Sequence, residues 1–176
     1  MPKPISKSWN STNMSITMNK FVSIMLLCAL CACSSSSDEK DMTLPEILPA
    51  DGYISPTNCQ QFQRGTFIPF DCVFSDNMEL GSFNIEIHNN FDHHTHGTEA
   101  GECKQDPVKS PVNPWIFNQD YDIPAGEKRH EASLRIPIPE DVDLGEYHFM
   151  IRVTDASGWQ QLRSVSIRLI ENQISL

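Results

Sequence analysis

The sequence predicts an all-β protein, an antiparallel β-sandwich, and three observations carry the expectation. Ile68, Phe70, Cys72 and Phe74 alternate with Pro69, Asp71 and Val73, and the same period of two recurs at Phe83, Ile85 and Ile87, at Leu134, Ile136 and Ile138, at Tyr147, Phe149, Ile151 and Val153, and at Val165, Ile167 and Leu169. Successive side chains of a strand point to opposite faces, so each run reads as a half-buried strand. Asp76-Asn77 and Asp155-Ala156-Ser157-Gly158 supply turn chemistry between consecutive strands, and no helical stripe of any length competes. Finally, Asp143-Leu144-Gly145-Glu146-Tyr147-His148-Phe149 matches the tyrosine corner at the start of strand F of an immunoglobulin-like sandwich, where the Tyr147 hydroxyl bonds back to upstream backbone. Together they specify an immunoglobulin-like antiparallel sandwich of about seven strands over residues 44–171, large enough for one core and too short for two.

The chain opens with a leader. Lys20 supplies a positive charge, and Phe21 to Ala32 is an apolar run too short to span a bilayer and suited to a secretory signal. Residues 1–32 are therefore expected to be a signal peptide whose natural start is Met18. Leu30-Cys31-Ala32-Cys33 resembles the lipobox of bacterial lipoproteins, which implies cleavage before Cys33 and acylation of its thiol. Residues 33–43, with Ser34 to Ser37 and Asp38-Glu39-Lys40-Asp41, read as a flexible tether with too little apolar surface to offset the entropy of ordering it. Acidic residues just after the lipidated cysteine resemble the export signal of Bacteroidetes surface lipoproteins. That resemblance implies an outer-membrane lipoprotein exposed at the cell surface, with a periplasm-facing anchor as the alternative.

Charge narrows the partners. Lys3, Lys7 and Lys20 fall in the leader, so the remainder carries all 23 acidic residues against 10 basic ones, a formal charge of −13. Such a surface repels nucleic acid and favours cations.

Within the sandwich, Pro45 to Pro49 is expected in a first edge strand, where missing backbone donors are tolerated. Cys72 takes the place of the first cysteine of an antibody domain, but Phe149 takes the place of the second, so Cys72 reads as a buried free thiol. Cys59 and Cys103 should fall near one pole in an oxidising compartment, and a Cys59–Cys103 disulfide is predicted.

The functional signal is the stretch His88-Asn89-Asn90-Phe91-Asp92-His93-His94-Thr95-His96, which holds four of the six histidines. Imidazole is the commonest metal ligand, and several imidazoles beside a carboxylate can fill most of a four-coordinate shell. A solvated, histidine-rich loop is the bland alternative. Strand alternation tilts the balance: with Phe83, Ile85 and Ile87 inward, His88 points outward, and with Tyr147 and Phe149 inward, so does His148. The two strands are antiparallel neighbours in this fold, so His88 and His148 should lie side by side where the loop leaves the sheet.

His94 and His96 share a side of an extended loop. The expected ligands are thus His88, His94, His96 and His148, with Asp92 and His93 in reserve, Asp92 as an acceptor that orients an imidazole. His130 should lie at the other pole as a surface histidine. Four imidazoles suit Zn(II), Cu(II) or Ni(II), Zn or Cu being the expected cofactor, and the site should empty as pH falls through about 6.

The run Ile85 to His96, Leu144 to Phe149 and the turn Asp155 to Gly158 resemble a family of uncharacterised Bacteroidetes lipoproteins with a single immunoglobulin-like domain of unknown function, over about Leu44 to Leu169. The resemblance implies the fold and the lipid anchor and brings no activity. The segment Gly97 to Arg129, part of a long excursion over residues 88–130, has four prolines and no sustained period. It reads as a functional excursion or covering flap, with a short edge strand at Trp115-Ile116-Phe117.

The first functional expectation is a cell-envelope lipoprotein that binds a transition metal. A glycan- or protein-binding accessory lipoprotein, with Trp115 and Trp159 as a stacking platform, is the alternative. A metal-dependent hydrolase with Glu86 as base is weaker, since no hydrolase motif frames it, and no catalytic residue is assigned.

Overall fold

The structure, a computed structural model, describes residues 40–95 and 103–171. The expected signal peptide, Cys33, residues 33–39 of the tether, and His96 lie outside the described residues.

Eight strands follow one another: β1 Glu46–Leu48, β2 Gln60–Gln63, β3 Phe67–Ser75, β4 Leu80–Asn89, β5 Phe117–Asp122, β6 Arg129–Pro137, β7 Gly145–Asp155 and β8 Gln160–Ile170. They form a three-stranded sheet in the order β1-β3-β6 and a five-stranded sheet in the order β2-β8-β7-β4-β5. This is the immunoglobulin-like sandwich, with one strand more than expected and one departure from antiparallel pairing. After pairing antiparallel with β3, the chain crosses to the other sheet and β2 joins β8 in parallel. The split first strand accounts for both differences.

The alternation read from the sequence becomes the core. Ile68, Phe70, Cys72 and Phe74 of β3 face Phe83, Ile85 and Ile87 of β4 and Tyr147, Phe149, Ile151 and Val153 of β7, all at most 4% exposed. Phe83 stacks on Tyr121 at 4.7 Å and meets Phe74 at 4.8 Å, so edge strand β5 is stapled to the sheet by an aromatic row. Cys72 is a buried free thiol, and burial, reinforced by the Asp71 charge, pushes it up to about 12.

The tyrosine corner closes the base of β7. The Tyr147 hydroxyl donates to Asp143 O at 2.7 Å and accepts from Trp115 N at 3.3 Å, and burial pushes the phenol up to about 12. Just before it, Gly145 has φ 127°, and a Cβ there would sit 3.1 Å from the Phe91 ring. A side chain at this position would thus be strained and would also displace the aromatic that anchors the histidine loop.

Candidate functional site

Alternation places Glu86 and His88 of β4 on the face turned from the core, together with Glu146, His148 and Met150 of β7. The antiparallel register then sets His88 directly opposite His148. Their ring centroids are 5.5 Å apart. The face is the expected one, but it is not open to solvent: Glu146, His148 and Met150 are 5%, 1% and 6% exposed.

Two segments cover it. The first is the loop after β4. Phe91 is buried edge-on against Tyr147, Asn90 N donates to Glu146 O at 2.9 Å, and Lys109 N donates to Phe91 O at 3.1 Å while its ammonium sits 4.2 Å over the Phe91 ring. The second starts at Cys103, which is joined to Cys59 by a disulfide with Cα atoms 5.4 Å apart. Beyond it, Arg168 binds Asp106 at 2.6 Å, Glu146 at 2.5 Å and Lys104 O at 2.6 Å, and Asp106 N donates to Glu146 at 2.7 Å. The Arg168 guanidinium holds the Asp106 carboxyl below its ordinary range. An Arg–Glu pair at this depth is tolerated because its remaining hydrogen-bonding capacity is largely met.

The first covering loop delivers His94. Its ring lies 5.4 Å from His88 and 5.0 Å from His148 by centroid, and its Nε2 is 3.3 Å from His88 Nε2. Behind these two nitrogens stand two carboxylates, Asp92 Oδ1 at 2.5 Å from His94 Nδ1 and Glu86 Oε1 at 3.1 Å from His88 Nδ1. The hydrogen bond from His94 holds the Asp92 carboxyl below its ordinary range. The Asp92 hydrogen bond holds the His94 ring proton on Nδ1 and leaves the lone pair on Nε2, whereas Glu86 stands beside His88 Nδ1 as a neighbouring charge, with no hydrogen bond between the two. His148 is turned the other way, its Nε2 3.0 Å from His94 O. Because a carbonyl only accepts, the neutral His148 ring keeps its proton on Nε2 and its lone pair on Nδ1.

Of the residues picked out in the sequence, His88, His94 and His148 come together, Asp92 stands behind His94, and His96 lies outside the described residues. His93 has φ 62° and takes no part in the ring contacts of the cluster among the described residues. His130 is at the opposite pole, half-buried and 2.7 Å from Glu127 rather than a free surface group. The stacking platform does not form: Trp115 is 5% exposed and packs beside Phe117 and Tyr147, while the Trp159 indole donates to Asp41 O at 3.0 Å. Glu86, considered above as a general base, stands behind a histidine instead. Its spacing two residues before His88 was the available signal for that place, since strand neighbours i and i+2 share a face.

A family model described as a domain of unknown function (DUF4625) matches residues 31–170. Among solved structures, OgpA from Akkermansia muciniphila is similar at 13% identity and a TM-score of 0.43 over 73% of this chain and 30% of that one. A family 123 glycoside hydrolase from Clostridium perfringens is similar at 12% identity and a TM-score of 0.40 over 73% of this chain and 28% of that one. The chain thus spans less than a third of the length of either. No curated protein matches it.

Proposed function

The chain belongs to this family of domains of unknown function, and from that premise we propose that its sandwich is a zinc-binding module of a cell-envelope lipoprotein, with His88, His94 and His148 as ligands. His96 is the fourth expected ligand. The observation that carries the reading is the 3.3 Å approach of two imidazole nitrogens, each backed by a carboxylate on its other ring nitrogen. Two nitrogens about 2.0–2.1 Å from one tetrahedral ion stand about 3.3–3.4 Å apart. Adjacent ligands of a square-planar ion would stand about 2.8–2.9 Å apart, which favours Zn(II) over Cu(II). Three imidazoles on one tetrahedral ion have ring centroids about 5.2 Å apart, and the three separations here run from 5.0 to 5.5 Å. The buried tautomer of His148 offers Nδ1 as its ligand atom.

The leader and Cys33 support an outer-membrane anchor, and the acidic residues after Cys33 support exposure at the cell surface. A zinc ion held between two strand ends and a covering loop would fix that loop, so the module serves as a metal carrier or as a metal-shaped surface for a protein or glycan partner. The test is zinc uptake by the full chain, held in detergent and stripped with chelator. One equivalent is expected, with strong visible absorption when Co(II) replaces zinc, as tetrahedral coordination requires. His88→Ala combined with His148→Ala should abolish uptake while leaving the strand signal in circular dichroism. A double variant that folds and binds as well as the parent refutes the site.

A further inference from the structure

At the pole opposite the histidines, three aspartates from distant parts of the chain come together. Asp41 precedes β1, Asp76 follows β3 and Asp155 ends β7, and one carboxylate oxygen from each lies within 4.8 Å of the others. All three are buried, at 5%, 9% and 3% exposure. Each spends Oδ1 on local backbone. Asp41 accepts from Thr43 N at 3.0 Å, Asp76 from Met78 N and Glu79 N at 2.7 and 2.8 Å, and Asp155 from Trp159 N at 2.8 Å.

The three Oδ2 atoms are buried, and none has a hydrogen-bond partner among the described residues. No lysine, arginine or histidine forms an ion pair with them there either. Lys128, beside the β3–β4 turn, gives its ammonium to Asn77 O at 2.8 Å. Three like charges removed from water and turned on one another form a costly arrangement unless something positive sits among them.

We propose that Asp41, Asp76 and Asp155 bind a calcium ion. The donors are hard oxygens, and two oxygens about 2.3–2.6 Å from one calcium are at most about 4.6–5.2 Å apart, a span that contains the observed cluster. Magnesium is a poorer occupant because it keeps several waters in a tight octahedron, for which three mostly buried carboxylates leave little room. A transition metal would prefer the nitrogen ligands at the other pole. The ion ties the segment through which the chain joins the sandwich to the β3–β4 and β7–β8 turns, so calcium would order the start of the domain. Nothing in this depends on the zinc reading.

The experiment uses the full chain in detergent, stripped of metal and then saturated with zinc, so that calcium is read alone. Calorimetric titration should show one calcium per chain, and calcium should raise the melting temperature. Terbium(III) should displace calcium and emit on excitation of Trp159, whose backbone and indole nitrogens already touch Asp155 and Asp41.

Asp76→Asn and Asp155→Asn should each weaken calcium by about tenfold or more, since affinity follows the charge count of the ligands. Without calcium the same variants should melt no lower than the parent, because each removes a repelling charge. That crossing pattern distinguishes an ion site from a structural cluster. A parent whose melting temperature does not move at millimolar calcium and which gives no sensitised terbium emission overturns the proposal. So do asparagine variants that bind calcium as well as the parent.

Discussion

Replacing Asp92 with asparagine separates a metal site from a packed histidine cluster. The Asp92 side chain is 70% exposed and touches His94 Nδ1 at 2.5 Å. Its removal therefore costs the fold little, and the melting temperature of stripped protein should be unchanged. Its effect on zinc should be large. The carboxylate keeps the His94 proton on Nδ1 and aims Nε2 at His88, and losing such a partner lowers metal affinity about 10- to 100-fold. Glu86→Gln removes a charge 3.1 Å from His88 Nδ1 without breaking a hydrogen bond there, so it should weaken zinc by less than the Asp92 variant does. Competition against a chromogenic chelator measures the affinities, and calorimetry of the stripped variants measures the stabilities. Two results would refute the reasoning: affinities within about twofold of the parent in both variants, or a drop in stripped stability that accounts for the weaker binding.

Tyr147→Phe keeps the ring against Phe91 but leaves Trp115 N and Asp143 O without their buried partner. It should cost about 2–4 kcal/mol in chemical denaturation. The same hydroxyl sets an alkaline limit: its folded pKa is raised from 10.0 to about 12, so its stabilisation is complete below pH 10 and is lost as pH rises from there to about 12. The loss of about 2–3 kcal/mol should be absent in Tyr147→Phe. Reducing Cys59–Cys103, which spans 44 residues, should lower stability by about 4 kcal/mol on the chain-entropy estimate, read as a fall in melting temperature with and without reductant. Iodoacetamide should leave Cys72 unmodified in the folded protein and label it in denaturant, since burial keeps the thiol protonated.

The histidine pair was legible because strand geometry is periodic. Once Ile87 and Phe149 are assigned to the core, His88 and His148 have no other face to occupy, and the tyrosine corner sets which end of β7 meets which end of β4. The length of the excursion pointed to a functional excursion or covering flap, but the sequence could not say which face such a flap would cover. Nothing periodic marks Lys104 to Asp106 as lying over the outer face of β7, because that stretch is held by single contacts such as Arg168 with Asp106 and Asp106 with Glu146. The difference matters chemically, since His148 expected at an open surface is in fact 1% exposed.

The aspartate cluster shows the opposite failure. Asp76 and Asp155 read as turn residues, and that reading is correct as far as it goes: each Oδ1 caps the backbone of its own turn. A carboxylate has a second oxygen, however, and a turn needs only one. Where the second oxygens point depends on how β3, β7 and the segment before β1 meet in space, which no local pattern records. The two ends of β7 then carry different chemistry. From His148 to Asp155 is seven residues, about 23 Å of extended strand, with imidazole nitrogens at one end and carboxylate oxygens at the other. Nitrogen and hard oxygen ligands kept that far apart on one strand have no reason to compete for the same ion. Loading with zinc should therefore leave calcium affinity unchanged, and a coupling of more than about threefold between the two titrations would mean that the strand does not hold its ends independently.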